Sequence, residues 1–126
     1  MKEKEEVEIL PAGIKKVSKP WGYEIWWAVT DRYVGKVLHI KKGESLSYQY
    51  HKVKDETIYL YSGKMELTIE EPDMPRKTLT LSPGDSIRIK PLTKHRMLAL
   101  EECEVLEVST PEVDDLVRLE DKYGRT

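Results

Sequence analysis

Hydrophobic and polar residues alternate with a period of two through most of this chain. Strand side chains point to opposite faces in turn, so this rhythm reads as half-buried β-strand. Val7-Glu8-Ile9-Leu10 opens the pattern and allows an edge strand, and Pro11-Ala12-Gly13 breaks it. Runs rich in β-branched and aromatic residues then cover 23–29, 33–40, 46–51, 56–61, 64–70, 78–81, 86–89, 96–100 and 104–108. Lys42-Gly43-Glu44, Glu71-Pro72-Asp73-Met74-Pro75 and Ser82-Pro83-Gly84-Asp85 punctuate them as turns. Short strands at near-regular spacing predict an all-β sandwich or small barrel. The pattern divides the chain into a charged N-terminal segment with an edge strand (1–17), a barrel (18–110) and a tail (111–126) that packs on it. In the tail, Val113, Leu116, Val117 and Leu119 fall at roughly helical spacing, which suits a short C-terminal helix or an extended tail.

Composition narrows the class. A chain of 126 residues is one domain on the length prior. The net charge of −2 gives no reason to expect nucleic acid or an anionic membrane as partner. No run approaches the roughly 18 apolar residues of a membrane span, and no targeting segment is visible. The single cysteine, Cys103, excludes an internal disulfide framework and points to a reducing, cytoplasmic setting. Its acidic neighbours make it a poor thiolate. The chain has no Asn and one Gln beside abundant Lys and Glu, a balance that suits a heat-adapted source. Trp26 and Trp27 are adjacent and point to opposite faces of a strand; one enters the core and the other needs cover.

One constellation carries chemistry. Gly43, Gln49, His51, Glu56 and Gly63 are answered by Gly84, Pro91 and His95. Gln49 and His51, at i and i+2, share a face. Four residues then allow a turn, and Glu56 opens the next strand as an antiparallel neighbour. Two imidazoles, a carboxylate and a carboxamide suit a divalent transition metal: Zn, Co, Mn, Ni or Fe. His39 reads as an ordinary satisfied histidine. Glu107 interrupts the apolar run of 105–108. Facing inward it is a base with a raised pKa; facing outward it leaves the core to Leu106 and Val108. Lys36, Lys54, Lys90, Lys94 and Arg96 are cations available to an anionic substrate.

The spaced string from Gly43 to Gly63, and the run from Gly84 to His95, resemble the two motifs of the cupin superfamily. Leu46-Ser47-Tyr48-Gln49-Tyr50-His51, Pro20-Trp21-Gly22-Tyr23-Glu24 and the tail from Val117 to Arg125 are similar to the cupin domain of type II mannose-6-phosphate isomerases. The resemblance implies a small jelly-roll barrel that stands alone, forms a homodimer and interconverts aldose and ketose sugar phosphates. It implies a metal held by Gln49, His51, Glu56 and His95. Glu56, Glu107 and Lys54 are the catalytic candidates for that chemistry, and Lys54, Arg96, Ser47 and Lys90 the candidate substrate contacts, Lys54 and Arg96 standing at positions the family also fills with cations. Three positions depart from the family pattern: Lys54 stands for Arg, Thr57 and Ile58 for His-Trp, and Leu92 for Gly. These departures favour one alternative, a non-catalytic or regulatory sugar-binding cupin. Another metal-dependent cupin enzyme, such as an iron oxygenase, is a third reading, and the Pro20-Trp21-Gly22 and Tyr123-Gly124-Arg125 segments stand against it.

Overall fold

A computed structural model describes residues 5–125; the first four residues of the charged N-terminal segment, and Thr126, lie outside the described residues. The strands are β1 (Val7–Ile9), β2 (Lys15–Lys19), β3 (Gly22–Val29), β4 (Val34–Ile40), β5 (Tyr48–His51) and β6 (Glu56–Ser62). They continue as β7 (Met65–Glu70), β8 (Lys77–Leu81), β9 (Ser86–Ile89), β10 (Lys94–Ala99), β11 (Cys103–Ser109) and β12 (Leu116–Glu120). Two antiparallel sheets face each other as a jelly roll, in the orders β1-β2-β3-β4-β11-β6-β9 and β12-β5-β10-β7-β8. No helix among the described residues is long and apolar enough to cross a membrane.

The inward rows explain why these residues form these strands. On β7, Met65, Leu67 and Ile69 are buried, while Glu66, Thr68 and Glu70 between them are half-exposed. Each of the rows that meet the site changes character along its length. On β6 the buried series runs Leu60, Ile58, Glu56; on β10 it runs Ala99, Met97, His95; on β11 it runs Cys103, Val105, Glu107. One end of the barrel is therefore a closed apolar core, built on Ile40, Leu60, Met65 and Leu67. The other end is a cavity of about 200 Å³, where Trp21 and Leu38 share the wall with the charged side chains.

Of the two forms expected for the tail, the extended one is found: β12 pairs antiparallel with β5, with Leu116 opposite His51 and Val117 opposite Tyr50. The edge of β5 offers unpaired backbone groups, and satisfying them outweighs a few apolar residues at helical spacing. Two features depart from the expectations. Residues 15–19 form a strand that the alternation does not reveal, because four of the five are Lys or Ser and only Val17 is buried. Lysines of this kind are typical of a strand near a sheet edge. Finally, β5 and β6 are not neighbours. They lie in opposite sheets, and residues 52–55 carry the chain across the gap.

The two adjacent tryptophans part as expected. Trp26 lines the cavity, whereas Trp27 is half-exposed on the outer face, beside a bulge in β3. Its ring lies flat over Gly35, where a Cβ would meet it at 2.6 Å. Gly63 has a stricter reason to be glycine. It turns the chain from β6 to β7 at φ +94°, and a Cβ there would sit 2.2 Å from the carbonyl oxygen of Glu102. Gly63→Ala is expected to lower stability by about 2 kcal/mol or more, read from urea unfolding, because strain and a backbone clash act together.

Candidate metal centre

Gln49 and His51 share the inward face of β5, and His95 on β10 stands directly across the ladder from Gln49. Glu56 reaches the same point from the opposite sheet. One ligand atom each from His51, Glu56 and His95 lies within 4.8 Å of the others. His51 Nε2 and Glu56 Oε2 are 3.1 Å apart, and the two imidazole centroids are separated by 5.8 Å.

These atoms are unusual in what they lack. His51 Nε2, Glu56 Oε2 and His95 Nε2 are buried with no hydrogen-bond partner. Buried polar atoms are normally paired, and leaving one unpaired costs about 1–3 kcal/mol. The other ring nitrogens are engaged. His51 Nδ1–H donates to Asp115 Oδ1 at 3.2 Å, and His95 Nδ1–H donates to the carbonyl oxygen of Thr93 at 3.0 Å. Such bonds set the tautomer that leaves an Nε2 lone pair free for an ion. Burial pushes the pKa of His95 down, which keeps that lone pair unprotonated. Burial works against ionisation of Glu56, but His51, Lys54 and His95 outweigh it and bring its pKa down to about 2. Two imidazoles and an ionised carboxylate fit a divalent cation. Gln49 Oε1 accepts from Ser47 Oγ–H at 2.6 Å and retains a second lone pair.

Charge balance points the same way. Among the described residues, Glu24, Glu56 and Glu107 are buried carboxylates, against the buried ammoniums Lys36 and Lys54. Lys36 Nζ is 3.3 Å from Glu24 Oε1 and 4.2 Å from the Trp26 ring centroid. Lys54 Nζ donates to Glu107 Oε2 at 2.9 Å and lies 3.6 Å from Glu56 Oε2. Flanked by two carboxylates, Lys54 is held protonated despite its burial. Glu107 faces inward, and its burial and the charge on Glu56 raise its pKa. Glu56 keeps the charge, and Glu107 is the carboxylate most ready to hold a proton.

The other expected contacts divide by position. Ser47 is buried behind Gln49 and orients the amide. Arg96 projects from the opposite face of β10 to His95, where its guanidinium lies 5.9 Å from the Tyr48 ring centroid. Lys90 is exposed, and neither it nor Arg96 lines the cavity. An inward row admits every second residue, so the cation beside His95 faces away. Of the three departures from the family pattern, only Lys54 lines the cavity; Thr57 lies on the outer face of β6, and Leu92 is exposed at φ +69°.

Sequence reasoning missed Glu24 and Trp26 on β3, Arg118 and Arg125 of the tail, and Asp115. Trp26 Nε1–H donates to Glu24 Oε1 at 2.8 Å, and both line the cavity with Arg118 and Arg125. The β3 pair carried a signal, since Glu24 stands two residues from Trp26 within an inward row. Arg118 stands opposite Gln49 only because β12 is a strand. Asp115 also accepts the amides of Val53 and Lys54, at 2.7 and 2.9 Å. Burial opposes its charge, but those amides and His51 hold its pKa below the usual carboxylate range.

Known proteins resemble this chain in sequence and in fold. The cupin domain family matches residues 36–109. The xanthan biosynthesis protein XanB of Xanthomonas campestris pv. campestris is 35% identical over 117 residues, which cover 89% of this chain and 24% of that protein. A mannose-1-phosphate guanylyltransferase of Salmonella montevideo is 31% identical over 116 residues, covering 88% of this chain and 24% of that protein. The chain thus spans about a quarter of the length of the curated relatives it matches. Among solved structures, an oxalate decarboxylase of Bacillus subtilis superposes with a TM-score of 0.74 at 18% identity, over 94% of this chain and 32% of that one. That likeness is one of fold.

Two outcomes are expected of the isolated protein. Titration with Zn²⁺ or Co²⁺ raises the melting temperature, and His95→Ala removes the rise. In metal-free protein, the lowered pKa of Glu56 contributes stability that is complete above about pH 4.5 and is lost as pH falls toward 2. Urea unfolding between pH 5 and 3 should therefore show a shallower acid loss in Glu56→Gln than in the wild type.

Proposed function

The chain belongs to the cupin family, and on that premise we propose that it is a metal-dependent sugar-phosphate isomerase, interconverting an aldose and a ketose phosphate. The observation that carries this reading is Glu107, a buried carboxylate with a raised pKa on the cavity wall beside His51, Glu56 and His95. Isomerisation needs a base that takes a proton from one carbon and returns it to the next, and such a base works best with a pKa near the working pH. Gln49, His51, Glu56 and His95 would hold the ion. A bound divalent ion supplies the Lewis acid that polarises the substrate carbonyl.

The remaining work falls to the chain's own side chains. Glu107 accepts the carbon-bound proton and delivers it to the neighbouring carbon, while the hydroxyl proton passes between the two substrate oxygens. The Lys54 ammonium, 2.9 Å from Glu107, orients that carboxylate and stabilises it when ionised. At the mouth, Lys19, Arg118 and Arg125 line the wall, and they suit the phosphate end of the substrate. Two relatives support the substrate class: one is named for mannose 1-phosphate and another for xanthan, a polysaccharide.

A second reading, a barrel that binds a sugar phosphate without turning it over, is favoured by Lys54. Its ammonium is already shared between Glu107 and Glu56 and is not free to meet substrate. A coupled assay with mannose 6-phosphate and added Zn²⁺, Co²⁺ or Mn²⁺ separates the two. The isomerase reading expects turnover above the metal-only control, with kcat of Glu107→Gln reduced about 100-fold or more. Absence of turnover with every ion, alongside calorimetric binding of the same sugar phosphate, selects the binding reading.

A further inference from the structure

Asp115 belongs to none of the ligand or substrate roles above, yet it joins three parts of the site. It sits in the segment between β11 and β12, 64 residues from His51 in the chain. Its Oδ1 accepts from the His51 ring at 3.2 Å, and its Oδ2 accepts the amides of Val53 and Lys54 at 2.7 and 2.9 Å. The next residue, Leu116, starts β12 opposite His51. One carboxylate therefore orients a ligand imidazole, closes the crossing that delivers Lys54 and Glu56 to the opposite sheet, and anchors the tail.

We infer that Asp115 is a positioning residue through which docking of the C-terminal segment and metal binding at His51, Glu56 and His95 are coupled. The inference rests on the metal centre of the preceding reading but not on isomerase activity. His51 has one free ring nitrogen to offer an ion only while the other is held in its protonated tautomer. Asp115 is the group that holds it. The crossing at residues 52–55 sets where Glu56 enters β6, and two of its amides are satisfied by the same carboxylate. β12 has a single ladder partner, β5, so β5 and the loop contacts of the tail carry its docking. Coupling of this kind is reciprocal: whatever the docked tail adds to metal affinity, the bound metal adds to docking of the tail.

The test uses the full chain with metal alone. Zn²⁺ affinity is measured by competition with a chromophoric chelator for the wild type, Asp115→Asn and Asp115→Ala. Amide hydrogen exchange of residues 111–125 is followed with and without Zn²⁺, and Co²⁺ absorption spectra report the ligand field. The Asn variant keeps the size of the side chain and one acceptor, so it serves if the Ala variant fails to fold. The expected result is a 10- to 100-fold loss of Zn²⁺ affinity in Asp115→Asn, with an altered Co²⁺ spectrum. Zn²⁺ should slow exchange in the wild-type tail and leave that of the variant unmoved. Wild-type affinity in Asp115→Asn, or tail exchange indifferent to Zn²⁺ in the wild type, overturns the coupling while leaving the metal centre intact. A wild-type chain that binds no divalent ion overturns the centre and the coupling together.

Discussion

The pleat of a β-strand does not allow a row of side chains to change face, and this barrel is organised around that constraint. The rows that build the dry core run on, without a break, into the cavity. Leu60 and Ile58 lead to Glu56, and Met97 leads to His95. The inward pointing that packs the apolar end therefore also fixes the direction of the ligands at the other. A one-residue slip of β6 or β10 would expose the core and remove the ligand in the same movement. Fold and site are held by the same register.

Burying so many ionic groups is costly, and breaking a buried pair is commonly worth about 3–5 kcal/mol. The structure offsets that cost by sharing. Lys54 lies between Glu107 and Glu56, and Lys36 lies between Glu24 and the ring of Trp26. The remaining imbalance is negative and lies beside the imidazoles of His51 and His95. An ion of charge +2 relieves the orphaned ligand atoms and the excess carboxylate at once. It also leaves Glu107, the carboxylate farther from full ionisation, to handle a proton.

Much of this was legible before the structure. Alternation located most of the strands, and the spacing of Gln49, His51 and Glu56 drew attention to one point in space. The neighbours of that point were less legible, for physical reasons. Periodicity reports which face a residue is on and says nothing of which strand lies beside it, so β5 and β6 read as a hairpin although they belong to opposite sheets. β12 was hidden because its apolar residues satisfy two periods, and only the open edge of β5 decides between them. Asp115 carried no signal, since its role is made by loop geometry. Arg96 was misdirected by adjacency to His95: consecutive residues on a strand serve opposite faces.

The division of ligands between the two sheets has a mechanical consequence. An ion held by His51 and His95 from one sheet and by Glu56 from the other would act as a rivet through the sandwich. The sheets are held apart by the bulk of Ile40, Leu60, Met65 and Leu67 at the dry end, so the gap such an ion would have to bridge is set there. Side-chain volume deep in the core thereby becomes the gauge that sets ligand spacing at the mouth. Substitutions far from any ligand can retune the preferred ionic radius by shimming the sheets open or closed.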